Sequence, residues 1–235
     1  MFPSAQVYSG AYQFAPSAGE IIMNAFQRIG VRPTELLTTH LTSATMELNL
    51  VFSRFNAQQP NLWTVNLQSL PITQGTATYS LPAEIIMITN AYLSTGSGSS
   101  RVDRLIWPLS QTEYAAISNK GAQGTPTTFW FDRLISPTIT FYLTPDGNGP
   151  YTVYYYMVRR VQDATLASGV NVEVPNFWLD ALVASLAHRL ARIYAPQLEQ
   201  IRKIDADEAW AIAATQDVEN VNLNITPGLG GYFVR

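Results

Sequence analysis

The sequence predicts an α+β fold: N- and C-terminal helical hairpins form a four-helix bundle, an antiparallel β domain is inserted between them, and extended arms stand at both ends. Three observations predict it. Apolar residues recur at helical spacing over 17–60 and 175–219, and short β-branched and aromatic runs replace them over 61–174. Segments 1–16 and 220–235 carry aromatics among small, Gly- and Pro-punctuated residues that hold no period.

Ser17-Ala18-Gly19-Glu20 has the spacing of a capping box, in which hydroxyl and carboxylate each satisfy a free N–H at a helix start. Ile21, Ile22, Ala25, Phe26 and Ile29 then share one helical face, and Gly30 is placed to close the helix in the left-handed conformation. Pro33 suits the first turn of a second helix, where its missing N–H costs nothing. Along that helix Leu37, Leu41, Ala44, Leu48, Val51 and Phe55 step by threes and fours to about Gln58, a core-facing seam for packing against the first helix.

The β domain is read from Thr76–Leu81, Ile85–Leu93, Arg101–Trp107, Thr127–Asp132, Thr138–Leu143 and Tyr151–Val161. Thr144 to Pro150, TPDGNGP, is rich in turn formers and predicts the loop of a hairpin. Ser110-Gln111-Thr112-Glu113 is a second capping box, which opens a short helix ending before Gly121. The run YTVYYYMVRR is apolar on both faces, as expected of a strand that is central in a covered sheet or faces another subunit.

Helical period returns at Pro175. Leu179, Leu182, Val183, Leu186, Leu190 and Ile193 form a stripe flanked by Ala181, Ala184, Ala187 and Ala191, small residues that permit close helix approach. The last helix, from about Gln197 to Glu219, is expected to turn Leu198, Ile201, Ile204 and Ile212 inward.

Composition narrows the function. Only 13% of residues are charged, about half the share of an average globular chain, so the surface is neutral and suited to being covered by neighbours. The net charge of −3 gives no basic footprint for gripping nucleic acid. With zero cysteines, disulfides, thiolate metal sites and cysteine nucleophiles are excluded. Apolar runs fall short of the ~20 residues that span a bilayer, which predicts no membrane association. The first sixteen residues lack the pattern of a signal peptide and read as a loose arm of a soluble protein.

No catalytic, cofactor-binding or metal-ligating set emerges. His40 and His188 fall on different helices and read as packing residues. Asp205, Asp207 and Glu208 read as a salt-bridged helix face with Arg202 and Lys203 rather than a metal site. Neither a nucleophile elbow nor a phosphate-binding loop is present, and Asn224-Ile225-Thr226 matches a glycosylation acceptor without a secretion signal.

The ending NLNITPGLGGYFVR is unusual. Leu223, Ile225, Leu229, Tyr232 and Phe233 precede the terminal Arg235 in a setting of Asn, Gly and Pro that holds no helix, and exposed apolar residues of that kind call for a partner. The segment reads as an assembly arm.

IIMNAFQRIGV (21–31), the long second helix closing on Leu62-Trp63, FYLTP (141–145), YTVYYYMVRR (151–160) and VPNFWLDALVASLAHRLA (174–191) occur in that order. Together, from about Ser17 to Glu219, they resemble the head-to-tail adaptor proteins of short-tailed bacteriophages, also called tail accessory factors or tail tubular proteins A. The resemblance implies a non-enzymatic virion protein of the neck, made in the host cytoplasm and lacking a cofactor. It implies a twelvefold homo-oligomeric ring beneath the portal protein, extending the DNA channel without sequence-specific contact and offering a platform to a downstream nozzle or hub protein. It further implies that the C-terminal arm, with Leu223, Ile225, Leu229, Tyr232, Phe233 and Arg235, docks on the portal. The N-terminal arm, with Phe2, Tyr8, Tyr12 and Phe14, is longer and more aromatic than in that family.

Two other classes stand beside this one. A carbohydrate- or receptor-binding module would use the aromatic β domain, with Tyr154, Tyr155 and Tyr156 as a stacking platform and Trp107 and Trp130 exposed. An enzyme acting on cell-wall polymers would need two converging carboxylates, for which Glu113 and Asp132 are the candidates in the β domain.

Overall fold

The computed structural model describes residues 14–58, 62–96, 98–167 and 169–218, which carry five α-helices and a seven-stranded mixed sheet. Helix α1 (Ala18–Arg28) opens on the Ser17–Glu20 capping box, with Glu20 accepting from the Ser17 N–H at 2.8 Å. It closes as expected: Gly30 has φ +86°, its N–H reaches Gln27 O at 3.0 Å, and Val31 N–H reaches Phe26 O at 3.0 Å.

Helix α2 (Thr38–Gln58) does not begin at Pro33, which instead starts a separate one-turn 3-10 helix over Pro33–Glu35. Two local bonds explain the break. The Glu35 carboxylate closes the turn on the Arg32 N–H at 3.2 Å, and His40 Nδ1 accepts from the Leu37 N–H at 3.3 Å to cap the new start. Leu37 therefore leaves the expected seam and is 63% exposed, while Ala44, Leu48, Val51 and Phe55 are buried on it.

Helix α4 (Asn176–Tyr194) is the hub. Trp178, Leu182, Leu186, Ala187, Leu190 and Ala191 are each at most 1% exposed, and the helix touches α1, α2 and α5 (Glu199–Gln216). A helix apolar on nearly all sides must be surrounded, and its alanines let the neighbours close in. Ile193, read from sequence as part of the stripe, lies past the packed face and is half exposed.

The sheet runs in the order β1-β9-β3-β4-β6-β7-β2, with β1 Val65–Ile72, β2 Thr78–Ser80, β3 Ile85–Thr95, β4 Val102–Leu109, β6 Thr128–Asp132, β7 Thr138–Tyr142 and β9 Tyr151–Arg159. A short parallel pair joins β5 (Gln123–Gly124) and β8 (Thr144–Pro145). The two edges of the large sheet meet where the Thr73 N–H, just after β1, donates to the Tyr79 hydroxyl of β2 at 2.7 Å, so the sheet curls around its own core. Ile72, Leu93, Ile106, Phe129, Phe141 and Val153 fill that core, separate from the helical one.

Two expectations for this region are corrected, and one strand is added. The sheet is not purely antiparallel: β4 and β6 pair in parallel, and the crossover this demands carries α3 (Gln111–Ala116), opened by the Ser110–Glu113 box. Residues 144–150 do not close a hairpin, because β9 pairs with β1 and β3 while β7 pairs with β6 and β2. A strand apolar on both faces gains more between two partners than at an edge. Finally, β1 was absent from the sequence reading; its Pro71 is accommodated because β1 is an edge strand.

Strand β9 is tied to the approach to α4 by a bidentate pair between the Arg159 guanidinium and Glu173, one arm of it 2.8 Å long. Arg159 holds the Glu173 carboxyl below its ordinary value of 4.5, against an opposing effect of burial. The linkage has the usual acid sign: stability from the pair is present above pH 4.5 and lost as pH falls through the lowered value. Glu173→Gln is expected to be less stable than wild type at pH 7 by about 1–2 kcal/mol, with the difference shrinking as pH falls below 4.5 and through the lowered value, as read by urea melts across pH. A gap independent of pH would mean that the pair contributes only packing.

Candidate assembly surfaces

Of the residues expected to turn inward, Leu198 packs on the helical core just before α5, but the three isoleucines of α5 do not, because the helix buries its opposite face. Ala206 and Ala213 are buried, with Ala209, Trp210 and Ala214 packed on the helical core, and Trp210 meets Trp178 edge to face at 6.3 Å. Ile201, Ile204 and Ile212 point away, at 51%, 58% and 62% exposure. The inner face is made of small residues around one tryptophan, and small side chains let α5 lie close against α4, which it contacts along its length. The result is an aliphatic row on the outside of the chain, broken by the exposed Glu208.

A second apolar surface lies on the outer side of α2. Thr42, Thr45, Met46, Asn49, Leu50 and Ser53, spaced by threes and fours, form a groove of about 530 Å³ with Asp163 and Leu166. Asn49 makes its floor rigid by pairing with the Ala164 backbone, accepting from N–H at 2.7 Å and donating to C=O at 3.3 Å.

The convex face of the sheet is a third. Tyr92 and Tyr154 stack at 5.2 Å and 10°, the Arg101 guanidinium sits 4.7 Å above the Tyr154 ring, and Arg101 forks onto Asp103 at 2.9 and 3.0 Å. Around them Leu67, Leu105, Trp107 and Tyr156 are exposed, Trp107 to 63%. Of the expected platform, Tyr154 and Tyr156 face out while Tyr155 is buried, and Trp130 stacks on Tyr114 at 5.0 Å, half-buried.

Most of the polar residues weighed for chemistry have structural partners among the described residues, Asp132 and Glu208 being the exceptions. Glu113 accepts from the Ser110 N–H at 2.7 Å, a bond that holds its carboxyl below the usual range. His40 lies among the rings of Phe26 and Tyr194, and His188, buried on α4, meets Glu199 through Nε2 at 3.0 Å. That bond, with Arg192 adding to it, holds Glu199 below its usual range. Asp205 pairs with Arg202 at 2.9 Å and Asp207 with Arg54 of α2 at 3.8 Å. Among the described residues, no group of His, Asp and Glu is arranged to hold a metal ion, and no helix is long and apolar enough to cross a membrane.

One buried carboxylate was missed. Asp217, which ends α5, is 8% exposed and accepts from the Leu62 N–H at 3.1 Å, clasping the end of that helix to the junction before β1. Burial pushes its carboxyl up, toward the neutral acid, while the Leu62 N–H opposes this by favouring the carboxylate; the net direction is opposite to that of Glu173. Nothing in a lone Asp after a helix signals burial from sequence.

The arm residues Leu223, Ile225, Leu229, Tyr232, Phe233 and Arg235, and Phe2, Tyr8 and Tyr12 at the other end, lie outside the described residues. The aliphatic row of α5, the α2 groove and the half-open tyrosine face lie within them.

The family model for the SU10 adaptor protein matches residues 16–224. No curated protein matches the chain. A solved structure, the neck of an empty GTA particle computed with C6 symmetry, is similar at 11% identity over 75% of this chain and 77% of that chain, with a TM-score of 0.27. With nearly the whole of its helical and sheet regions inside the family match, the chain belongs to the SU10 adaptor protein family, as a structural phage protein and not an enzyme.

Proposed function

We propose that the chain is the head-to-tail adaptor of a virion neck: a twelve-copy ring beneath the portal that continues the DNA channel and offers a platform to the next tail protein. One observation carries the reading, the outward row Ile201, Ile204 and Ile212 on a chain with 13% charged residues. A free monomer rarely keeps such a row in water, whereas a ring covers it with the adjacent subunit. A two-hairpin helical bundle with an inserted β domain suits this part, and what supports it is one core shared by α1, α2, α4 and α5 with a separate core in the sheet. The net charge of −3 suits a channel that lets DNA slide without gripping it. Residues Leu223, Ile225, Leu229, Tyr232, Phe233 and Arg235 dock on the portal, with Leu229, Tyr232 and Phe233 as apolar anchors.

Sedimentation velocity of the chain, alone and mixed with the portal ring of the same phage, tests this. A mass gain of about one chain per portal subunit is expected, since symmetric rings stack one to one. Removing Gly228–Arg235 is expected to leave the far-ultraviolet circular dichroism unchanged and to abolish the gain. Unchanged co-sedimentation of the truncated chain would remove the docking role from the arm, and no gain with the full chain would remove the adaptor role.

The exposed Trp107 and Tyr156 favour a second reading, a glycan-binding face on the sheet. Quenching of tryptophan fluorescence by host surface glycans, lost in Trp107→Ala, is the result that would support it.

A further inference from the structure

The turn between β6 and β7 is built as a knob. Its base is fixed by the Asp132–Thr138 pairing and by Pro137, which is buried and accepts from the Leu81 N–H at 2.9 Å. Its tip is Leu134 and Ile135, 59% and 95% exposed, where turns normally carry polar residues. Beside them stands Arg133, whose guanidinium, among the described residues, donates to the Met87 sulfur at 3.9 Å and pairs with no carboxylate.

The α2 groove complements it. Met46, Leu50 and Leu166 give it aliphatic and thioether walls, 67%, 40% and 46% exposed, and methionine adapts its shape to what enters. Its one charged group is Asp163, exposed and engaged by no described cation. The outward row of α5 is a poorer occupant, because Glu208 within it would meet Asp163.

We propose that the Leu134–Ile135 tip of one copy seats in the α2 groove of a second copy, with Arg133 of the first against Asp163 of the second. The proposal rests on the ring reading and names one of its subunit contacts. Knob and groove are different surfaces of the same chain, so the contact is head to tail and propagates from copy to copy until it closes. Both surfaces are neutral apart from the one opposite-charge pair, which fixes the register rather than the strength of the contact.

The chain has zero cysteines, so any engineered disulfide is unambiguous. Ile135→Cys and Leu50→Cys are made separately, one of them size-tagged, and the two full-length proteins are mixed, assembled alone or on the portal ring, and oxidised mildly. The expected result is a covalent heterodimer between the two variants in excess of either homodimer, and a ladder of higher covalent oligomers when both cysteines are in one chain. Arg133→Asp and Asp163→Arg are each expected to raise the concentration for half-assembly by about tenfold, and the double reversal to restore it. Assembled rings without the heterodimer, or a double reversal no better than the singles, would overturn the knob-and-groove contact while leaving the ring. Absence of any assembly under either condition would overturn the ring reading and this contact with it. Unchanged circular dichroism of each variant excludes misfolding as the cause.

Discussion

Replacing Trp178 by alanine is expected to lower the stability of the chain by about 3–5 kcal/mol, the range for deleting a fully buried large aromatic. Trp178 is 1% exposed on α4 and touches two other helices: Phe55 of α2 at 5.2 Å and Trp210 of α5 at 6.3 Å. The cavity it leaves therefore borders α2 and α5 together, and neither can collapse into it without losing contact with the other. Set against a total of about 5–15 kcal/mol for a typical domain, that loss brings the chain close to the midpoint of unfolding. Urea denaturation should show a lower midpoint with an unchanged slope. A loss below about 1 kcal/mol would mean that α4 is not the element on which the helical core is built.

The second large effect is on assembly rather than stability. Ile201→Ser, Ile204→Ser and Ile212→Ser combined should leave the thermal midpoint nearly unchanged, since the three side chains are exposed and serine and isoleucine have similar helix propensities. The same protein should sediment as a monomer under the conditions in which, on the proposed ring reading, the wild type assembles. Each isoleucine side chain contributes about 1.5–3 kcal/mol if fully covered, so losing three removes more than a single lateral contact can spare. A triple variant that still assembles would show that the row faces solvent or another partner in the virion.

What was legible in the sequence depended on how local its cause was. Both capping boxes, Ser17–Glu20 and Ser110–Glu113, are visible in four residues and were read correctly, as was the left-handed Gly30. The two-faced apolar character of YTVYYYMVRR pointed to a strand central in a covered sheet or facing another subunit; β9 is central, between β1 and β3, yet the turn formers before it suggested the wrong neighbour, because turn chemistry says where the chain bends and not which strand it pairs with. The helix α5 was misjudged because hydrophobicity was used as a proxy for burial. Its inner face is Ala206, Ala209, Trp210 and Ala213, and the signal that could have found it is their recurrence at helical spacing around one tryptophan. The surfaces are the least legible: Leu134 and Ile135 fall between the runs Thr127–Asp132 and Thr138–Leu143, and Met46 and Leu50 lie off the seam of α2, so no periodic pattern singles them out.

The position of α4 so late in the chain has a consequence for how the protein is made. Helices α1 and α2 emerge early from the ribosome, yet the ion pairs that bind them to α4, Arg28–Asp180 at 2.7 Å and Glu47–Arg189 at 2.9 Å, span 152 and 142 residues. At about 5–20 residues per second, the apolar faces of the first two helices wait roughly 8–30 s for the surface that covers them. During that interval the nascent chain displays Ile22, Phe26, Leu48 and Phe55, all of them buried in the finished fold, to the cytosol. Overexpression at high temperature should therefore lose this protein to chaperone binding and inclusion bodies before it loses it to unfolding, and slower translation should leave more of it soluble.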